Sequence, residues 1–307
     1  MKRVLVTGIG GFIGRHVVEP LLARGYAVHG MARVPRGVLR GVTLHAADML
    51  APGAAAGLVA EIKPTHLMHL AWLNNPGRAM MSFDHMYWMA ASAQLFRSFV
   101  VSGCRRAVFA GSCAEYDWSH SHLHETETPL RPHSMYGAAK NALRETAEAL
   151  GRHSGASTAW ARLFFLYGPH EPPGRLVSDI AAGLVDGRRT ETTAGLQQRD
   201  FLHVADAGEA LVRLLDSAAT GSINVASGQC GPVRHVIDVL GKLSGRADLL
   251  SIGARPMSPG EPMRLAADIA RLRDEVGFAP RYSLDEGLAA TLQWWREENA
   301  QRRRALI

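Results

Sequence analysis

Only three cysteines occur in the 307 residues, Cys104, Cys113 and Cys230, and no two form a Cys-x-x-Cys pair. An odd, scattered set excludes a disulfide framework and the usual zinc spacing, and it fits a reducing cytoplasm. No apolar run reaches the ~18 residues of a membrane-spanning helix, so no membrane association is expected. Met1-Lys2-Arg3 before an apolar stretch has the outline of a signal peptide, but the glycines that follow suit a buried strand and turn better. Basic residues outnumber acidic ones by 34 to 28, for a net charge of +6 and a pI of about 9.5. Apart from Arg302-Arg303-Arg304 they are dispersed, with no basic stripe among aromatics to grip nucleic acid. Repeats and low-complexity tracts are absent too. What is present is 47% hydrophobic and 20% charged, enough for one large or two intimate domains with a full core.

Short apolar runs alternate with helical segments through the first half: Val4–Thr7, Ala27–Ala32, Thr43–Ala46, His66–Ala71, Ala107–Gly111 and Thr158–Leu163. That alternation predicts βαβ units and a parallel sheet. After about residue 166 the pattern breaks at Pro169, Pro172, Pro173 and Gly174, and Gly253–Pro262 reads as a second proline-glycine loop. A last helix is expected over Leu284–Glu298, capped by Ser283 with Asp285 and Glu286 in its first turn. The chain is expected to return to the sheet near Phe201–Val204 and Ile223–Ala226. The predicted division is a cofactor-binding domain over 1–165 plus about 200–227, and a substrate-binding domain over 166–199 plus 228–307.

The apolar stretch Lys2–Thr7 runs into Gly8-Ile-Gly-Gly11-Phe-Ile-Gly14. In such a strand-turn-helix the first glycine permits the tight turn. The second lets the backbone approach a pyrophosphate, and the third lets helix pack on strand. The phosphates would sit on the N–H groups at the helix start, with Phe12 and Ile13 in the same loop. A dinucleotide is therefore expected. A carboxylate ending the second strand would hold the adenine ribose of NAD; here stand Ala32 and Arg33, with Arg36 nearby. Arg33 is either a clamp for a 2′-phosphate or a solvated loop charge, and NADP(H) is favoured over NAD(H). Asp48, after the third strand, is either an acceptor for the adenine amino group or a strand-end cap.

Tyr136 and Lys140 are four residues apart and share one helix face. An ammonium beside a phenol is expected to lower its pKa from near ~10 toward useful acid-base chemistry. Ser112 ends the apolar strand Val108–Gly111, where its hydroxyl can bond a substrate oxygen. With these residues the chain resembles extended short-chain dehydrogenase/reductases of the NAD-dependent epimerase/dehydratase type over nearly its full length. His69-Leu70-Ala71, Arg162-Leu-Phe-Phe-Leu-Tyr-Gly-Pro169, Arg199-Asp-Phe-Leu-His-Val-Ala-Asp206 and Gly277-Phe-Ala-Pro280 carry the likeness further. It implies an α/β fold: a Rossmann-type doubly wound parallel sheet with a smaller C-terminal substrate-binding domain. Met49, Leu70 and Ala71 would then join the cofactor site. Tyr136 would move the proton, Ser112 would orient the reacting oxygen and Lys140 would support both. Cys113, Ala114, Phe165, Arg199 and Arg255 would face a nucleotide-sugar substrate.

Departures from the family narrow the expected reaction. Family dehydratases carry an Asp-Glu pair where Cys113 and Ala114 stand, and bifunctional epimerase-reductases carry a cysteine and a histidine at positions matching Ala114 and Arg175. Elimination, together with Arg33, leads to NADPH-dependent reduction of a nucleotide-linked 4-keto-6-deoxysugar. The alternatives are a 4-epimerase that recycles NAD, a reductase of a small carbonyl without a nucleotide, and a catalytically silent NADP sensor. Phe165 and Trp88 replace family asparagines; the first makes the pocket more apolar, which suits either a deoxysugar or a substrate without a nucleotide. His120, His122 and His124 read as a surface loop or substrate lid, and no metal is expected. His170 reads as a turn residue and Trp294-Trp295 as packing. The apolar faces of Trp88–Ser102 and Tyr136–Arg152 imply, by the family likeness, a homodimer.

Overall fold

The computed structural model describes residues 2–34, 39–73 and 79–304. Seven parallel strands form the main sheet, in the spatial order Gly221–Val225, Ser157–Leu163, Arg106–Ser112, His66–His69, Arg3–Thr7, Ala27–Ala32 and Val42–Ala46. Each of the six runs expected from the sequence is a strand here. The period of two decides which side chain goes to which face. Val4, Val6, Val108, Ala110, Ala159 and Ala161 enter one core, with helices Val18–Ala23 and Val204–Asp216. Leu5, Ala107, Phe109 and Trp160 enter the opposite core, with helices Ala54–Ile62, His85–Val101 and Met135–Ser154. Burial on both faces is why these strands read as continuous apolar runs.

From Arg3–Thr7 the chain first builds outward through Ala27–Ala32 and Val42–Ala46, then crosses to His66–His69 on the other side. The strand order therefore reverses between Arg3–Thr7 and His66–His69. A crevice outside the carboxyl ends of the strands opens at such a switch.

A second sheet contains Cys230–Pro232, Gln198–His203, Arg264–Ala267 and His122–Leu123, with Phe165–Tyr167 pairing Gln198–His203. This corrects one expectation. Only Gly221–Val225 returns to the main sheet; the segment around Phe201–Val204 does not. Gly221–Val225 occupies the free edge of Ser157–Leu163 over five register positions. Phe201–His203 is left to pair with Phe165–Tyr167, where the chain has already left the main sheet. Helices Leu176–Asp186, Val233–Ser244 and Leu284–Arg304 enclose a third core around Val177, Ile237, Leu288 and Trp295. Trp295 is thus packing, as read from the sequence.

The last helix runs to Arg304, past the expected end at Glu298. Its start is a capping box: Ser283 Oγ accepts from the Glu286 N–H at 3.3 Å, and the Glu286 carboxylate accepts from the Ser283 N–H at 2.9 Å. Its basic last turn complements the helix dipole. Among the described residues, no helix is long and apolar enough to cross a membrane.

Helix Val204–Asp216 approaches the first crossover so closely that a Cβ on Gly208 would lie 2.3 Å from the carbonyl oxygen of His16. Backbone cannot yield as a side-chain tip can. Gly208→Ala is expected to destabilise the protein by about 1–3 kcal/mol, the usual cost of overpacking, visible as a lower Tm by calorimetry. An unchanged Tm would show that this contact is not tight.

Candidate active site

The glycine turn is as demanding as its sequence implies. Gly8 has φ +71°, and a Cβ there would stand 2.9 Å from the Ala71 nitrogen. A Cβ on Gly14 would meet the Gly8 carbonyl at 2.2 Å, whereas Gly10 has nothing within 4 Å of that position. The loop is therefore closed on its protein side and open on its outer side, a backbone cradle that fits a dinucleotide pyrophosphate.

One hydroxyl ties this turn to the neighbouring strand. Thr7 Oγ1 accepts from the backbone N–H groups of Leu70 and Ala71, both at 3.2 Å. Its own proton is then free to go to His69 Nδ1, 2.8 Å away. His69 Nε2 lies 2.9 Å from Ser92 Oγ, whose hydroxyl donates to the Trp88 carbonyl. Burial pushes the His69 imidazole down to about 3, so it stays neutral. His69 joins strand to helix; its neutral ring is a structural strut.

Ser112 ends the strand Arg106–Ser112 and caps the short turn Cys113–Glu115. Ser112 Oγ accepts from the Ala114 N–H at 3.2 Å, and Glu115 Oε1 accepts from the Ser112 N–H at 2.7 Å. Glu115 is fully buried and also accepts from Trp160 Nε1 and from Arg162 Nε at 2.8 Å. Arg162, 1% exposed, donates further to Tyr116 Oη and to the Glu125 carbonyl. Gly111 has no side chain because a Cβ would stand 2.1 Å from Trp160 Nε1. Sequence reading passed over Glu115, although Ser112-x-x-Glu115 is a capping-box signature.

Helix Met135–Ser154 starts at Ser134, whose hydroxyl accepts from the Gly137 N–H at 3.1 Å. A Cβ on Gly137 would be 2.1 Å from the Ala114 carbonyl, so the helix lies directly on the turn after Ser112. This contact brings Tyr136 and Lys140 to Ser112. Lys140 is buried, and Nζ donates to the Ala110 carbonyl at 2.7 Å. Burial pushes its ammonium down to about 7, with Glu115 acting against the shift. Burial pushes the Tyr136 phenol up to about 12; its hydrogen bond with Ser112 opposes this. The lowering expected from Lys140 is therefore not found: burial raises the phenol, and Glu115 and Cys113 push the same way.

These groups line one cavity of about 660 Å³. It runs from Gly8, Gly11, Phe12, Ile13 and Gly14 past Leu70 and Ala71. Ser112, Cys113, Ala114, Tyr136 and Lys140 form its middle, and Phe165 and Arg199 its far end. There Arg199 pairs with Glu261 at 2.8 Å, its guanidinium 5.4 Å from the Phe165 ring centroid. Four predicted residues are not among its lining. Arg33 is exposed beyond the strand Ala27–Ala32. Asp48 is exposed and its Oδ1 accepts from the Leu50 N–H. Met49 is buried in the core beneath Ala54–Ile62. Arg255 is exposed in its loop, its N–H donated to the Thr192 carbonyl. Arg36 lies outside the described residues.

Trp72, Glu171 and Glu261 are among the lining residues that went unread in the sequence as parts of the site. Glu171 and Glu261 come from loops distant in sequence, whereas Trp72 directly follows Leu70 and Ala71 and could have been read with them. His170 sits at φ +66° in its turn and packs on Trp294, as a turn residue. His124, Glu125 and Asp268 bring potential ligand atoms within 4.8 Å of one another. His124 Nδ1 already faces the N–H groups of Thr126 and Glu127, and Asp268 Oδ1 accepts from Ala270.

A model of the NAD dependent epimerase/dehydratase family matches residues 4–226. The chain belongs to this family. It is accordingly an enzyme of the NAD(P)-dependent oxidoreductase type. UDP-glucose 4-epimerase 4 of Oryza sativa subsp. japonica is 27% identical, covering 97% of this chain and 91% of that protein. The dTDP-glucose 4,6-dehydratase of Streptomyces griseus is 28% identical, covering 97% and 95% respectively. The structure of UDP-glucose 4-epimerase from Thermus thermophilus in complex with NAD superposes with a TM-score of 0.84 at 26% identity, over 96% of this chain and 99% of that one.

Glu171 generates a pH prediction. Burial pushes its carboxyl up to about 8, with Arg175 opposing, and Oε2 has no hydrogen-bond partner. A folded-state pKa above the unfolded one means the native state holds more protons between about pH 4.5 and 8. The resulting stability is fully present below pH 4.5 and is lost as pH rises through 8. Glu171→Gln should therefore gain stability relative to wild type at pH 8 compared with pH 5, by urea unfolding. The same difference at both pH values would contradict the assignment.

Proposed function

We propose that this protein is a nucleotide-sugar 4-epimerase that reuses its nicotinamide dinucleotide from turnover to turnover. The observation that carries the reading is the single Ser112–Tyr136–Lys140 set in one cavity with the glycine cradle, without an acid pair beside it. Cys113 and Ala114 occupy the places of the dehydratase acids, and burial pushes the Cys113 thiol up to about 12, too high for nucleophilic chemistry. The full-length similarity to 4-epimerases supports the same reading.

In this proposal the glycine loop holds the pyrophosphate and Lys140 directs an N–H toward the nicotinamide ribose. When bound, the nicotinamide supplies hydride acceptance and return at a sugar carbon. Ser112 orients the sugar 4-oxygen. Tyr136 takes the proton from that oxygen and gives it back. A phenol held near 12 must be lowered for this step, and the positive charge of a bound oxidised nicotinamide acts in that direction. The segments 166–199 and 228–307 hold the nucleotide, with Arg199 exchanging Glu261 for the diphosphate. The outer face of His85–Val101, where Met86, Tyr87 and Val101 are exposed, would pair with a second copy as a homodimer.

A second reading is NADPH-dependent reduction of a 4-keto sugar nucleotide. It is favoured by Ala32 and the exposed Arg33 at the end of the second strand, where no carboxylate meets an adenine ribose. Incubation with UDP-, dTDP- and GDP-sugars, read by NMR at C4 alongside the cofactor balance, separates the two. Interconversion of C4 epimers without net cofactor consumption is expected; stoichiometric NADPH oxidation by a 4-keto sugar nucleotide, without interconversion, would overturn the epimerase. Tyr136→Phe should lower turnover by roughly 10²-fold or more, the usual size of a lost acid-base group. Near-wild-type turnover in that variant would remove Tyr136 from the reaction.

A further inference from the structure

We propose that Trp72 is a positioning residue of the reaction site, holding the Lys140 ammonium through the face of its indole ring. Lys140 Nζ lies 3.9 Å from the centroid of the Trp72 ring. Its other short contact is the Ala110 carbonyl at 2.7 Å. Among the described residues, no carboxylate comes within ion-pair distance of this buried ammonium. The nearest acid it senses is Glu115, and that carboxylate is committed to Arg162, Trp160 and the Ser112 N–H.

The remaining groups around Lys140 do not replace a counter-ion. His69, from the adjoining strand, is held neutral. Tyr136, one helical turn away, has its ring centroid 6.0 Å from Nζ and stays protonated. Beyond Tyr136 stand Arg175, which adds positive charge, and Cys113, a buried thiol. His85, from the neighbouring helix, meets Tyr136 ring to ring at 5.4 Å. A buried ammonium with one carbonyl partner is costly, and an aromatic face at this distance is a favourable partner for it.

The indole is itself held in place. Trp72 Nε1 donates to His85 Nδ1 at 3.1 Å, and the two rings stack at 6.1 Å with an interplanar angle of 19°. His85 is fully buried. The ring face presented to Lys140 is therefore set by a hydrogen bond as well as by packing. An ammonium has three N–H donors. With one on Ala110 and one on the indole, the third remains for a ligand in the cavity that Lys140 lines.

The proposal rests on reading Lys140 as the partner of Tyr136, so its test avoids substrate altogether. The chain has four lysines, Lys2, Lys63, Lys140 and Lys242, which suits lysine-selective ¹⁵N labelling. The Lys140 Nζ resonance, assigned by its loss in Lys140→Arg, is titrated in wild type, Trp72→Phe, Trp72→Leu and Trp72→Met without cofactor or sugar. The two aliphatic variants are expected to lower the midpoint by about one pH unit, a tenfold change in proton affinity and within the range of a desolvated cation–π pair. Trp72→Phe, which keeps a ring face, should retain most of the wild-type value. Equal midpoints in all proteins would overturn the proposal, and so would equal shifts in all three variants. The epimerase assay fails or succeeds independently of this result.

Discussion

The buried pair of Glu115 and Arg162 is the contact on which the candidate site depends. Both side chains are essentially without solvent, and they meet at 2.8 Å. Such a pair adds little net stability compared with apolar residues of the same volume, while losing one partner typically costs about 3–5 kcal/mol. Its value here is geometric. Glu115 holds the Ser112 N–H from below, and Arg162 reaches Tyr116 and the Glu125 carbonyl. Tyr116 Oη continues to Asn224 on the last strand of the main sheet, and the Asn224 N–H returns to the Glu125 carboxylate. The turn that presents Ser112 is thereby locked to three strands at once.

The cavity above that network is a place where charge is expensive. Lys140 is driven toward neutrality, Tyr136 toward the phenol, and the Glu171 carboxyl toward its protonated form. All three shifts share the cause of burial, and a charged ligand changes each of them. At the far end, Arg199 is already paired with Glu261. Any anionic ligand reaching that end of the cavity has to compete with Glu261 for the guanidinium.

Much of this was legible in the chain. The apolar runs marked six strands of the main sheet, most plainly the central ones, because strands buried on both faces have no polar alternation to hide them. The glycine turn was legible because Gly8 needs a left-handed φ and Gly14 tolerates no side chain, constraints that act within a few residues. Ser112, Tyr136 and Lys140 were legible because a strand end and one helix face place them by local geometry. The segment around Phe201 was misassigned: an apolar strand pattern says that a strand exists, and the choice of sheet depends on which edge is already occupied.

The sequence by itself thus determined the parallel sheet, the glycine turn and the shared helix face of Tyr136 and Lys140, since each follows from interactions within one strand, turn or helix. Only the tertiary structure decided that Glu115 anchors Ser112, that Trp72 faces Lys140 and that Glu261 covers Arg199. Those outcomes depend on segments from distant parts of the chain meeting around one cavity. The burial that shifts the ionisable groups exists only once they have met.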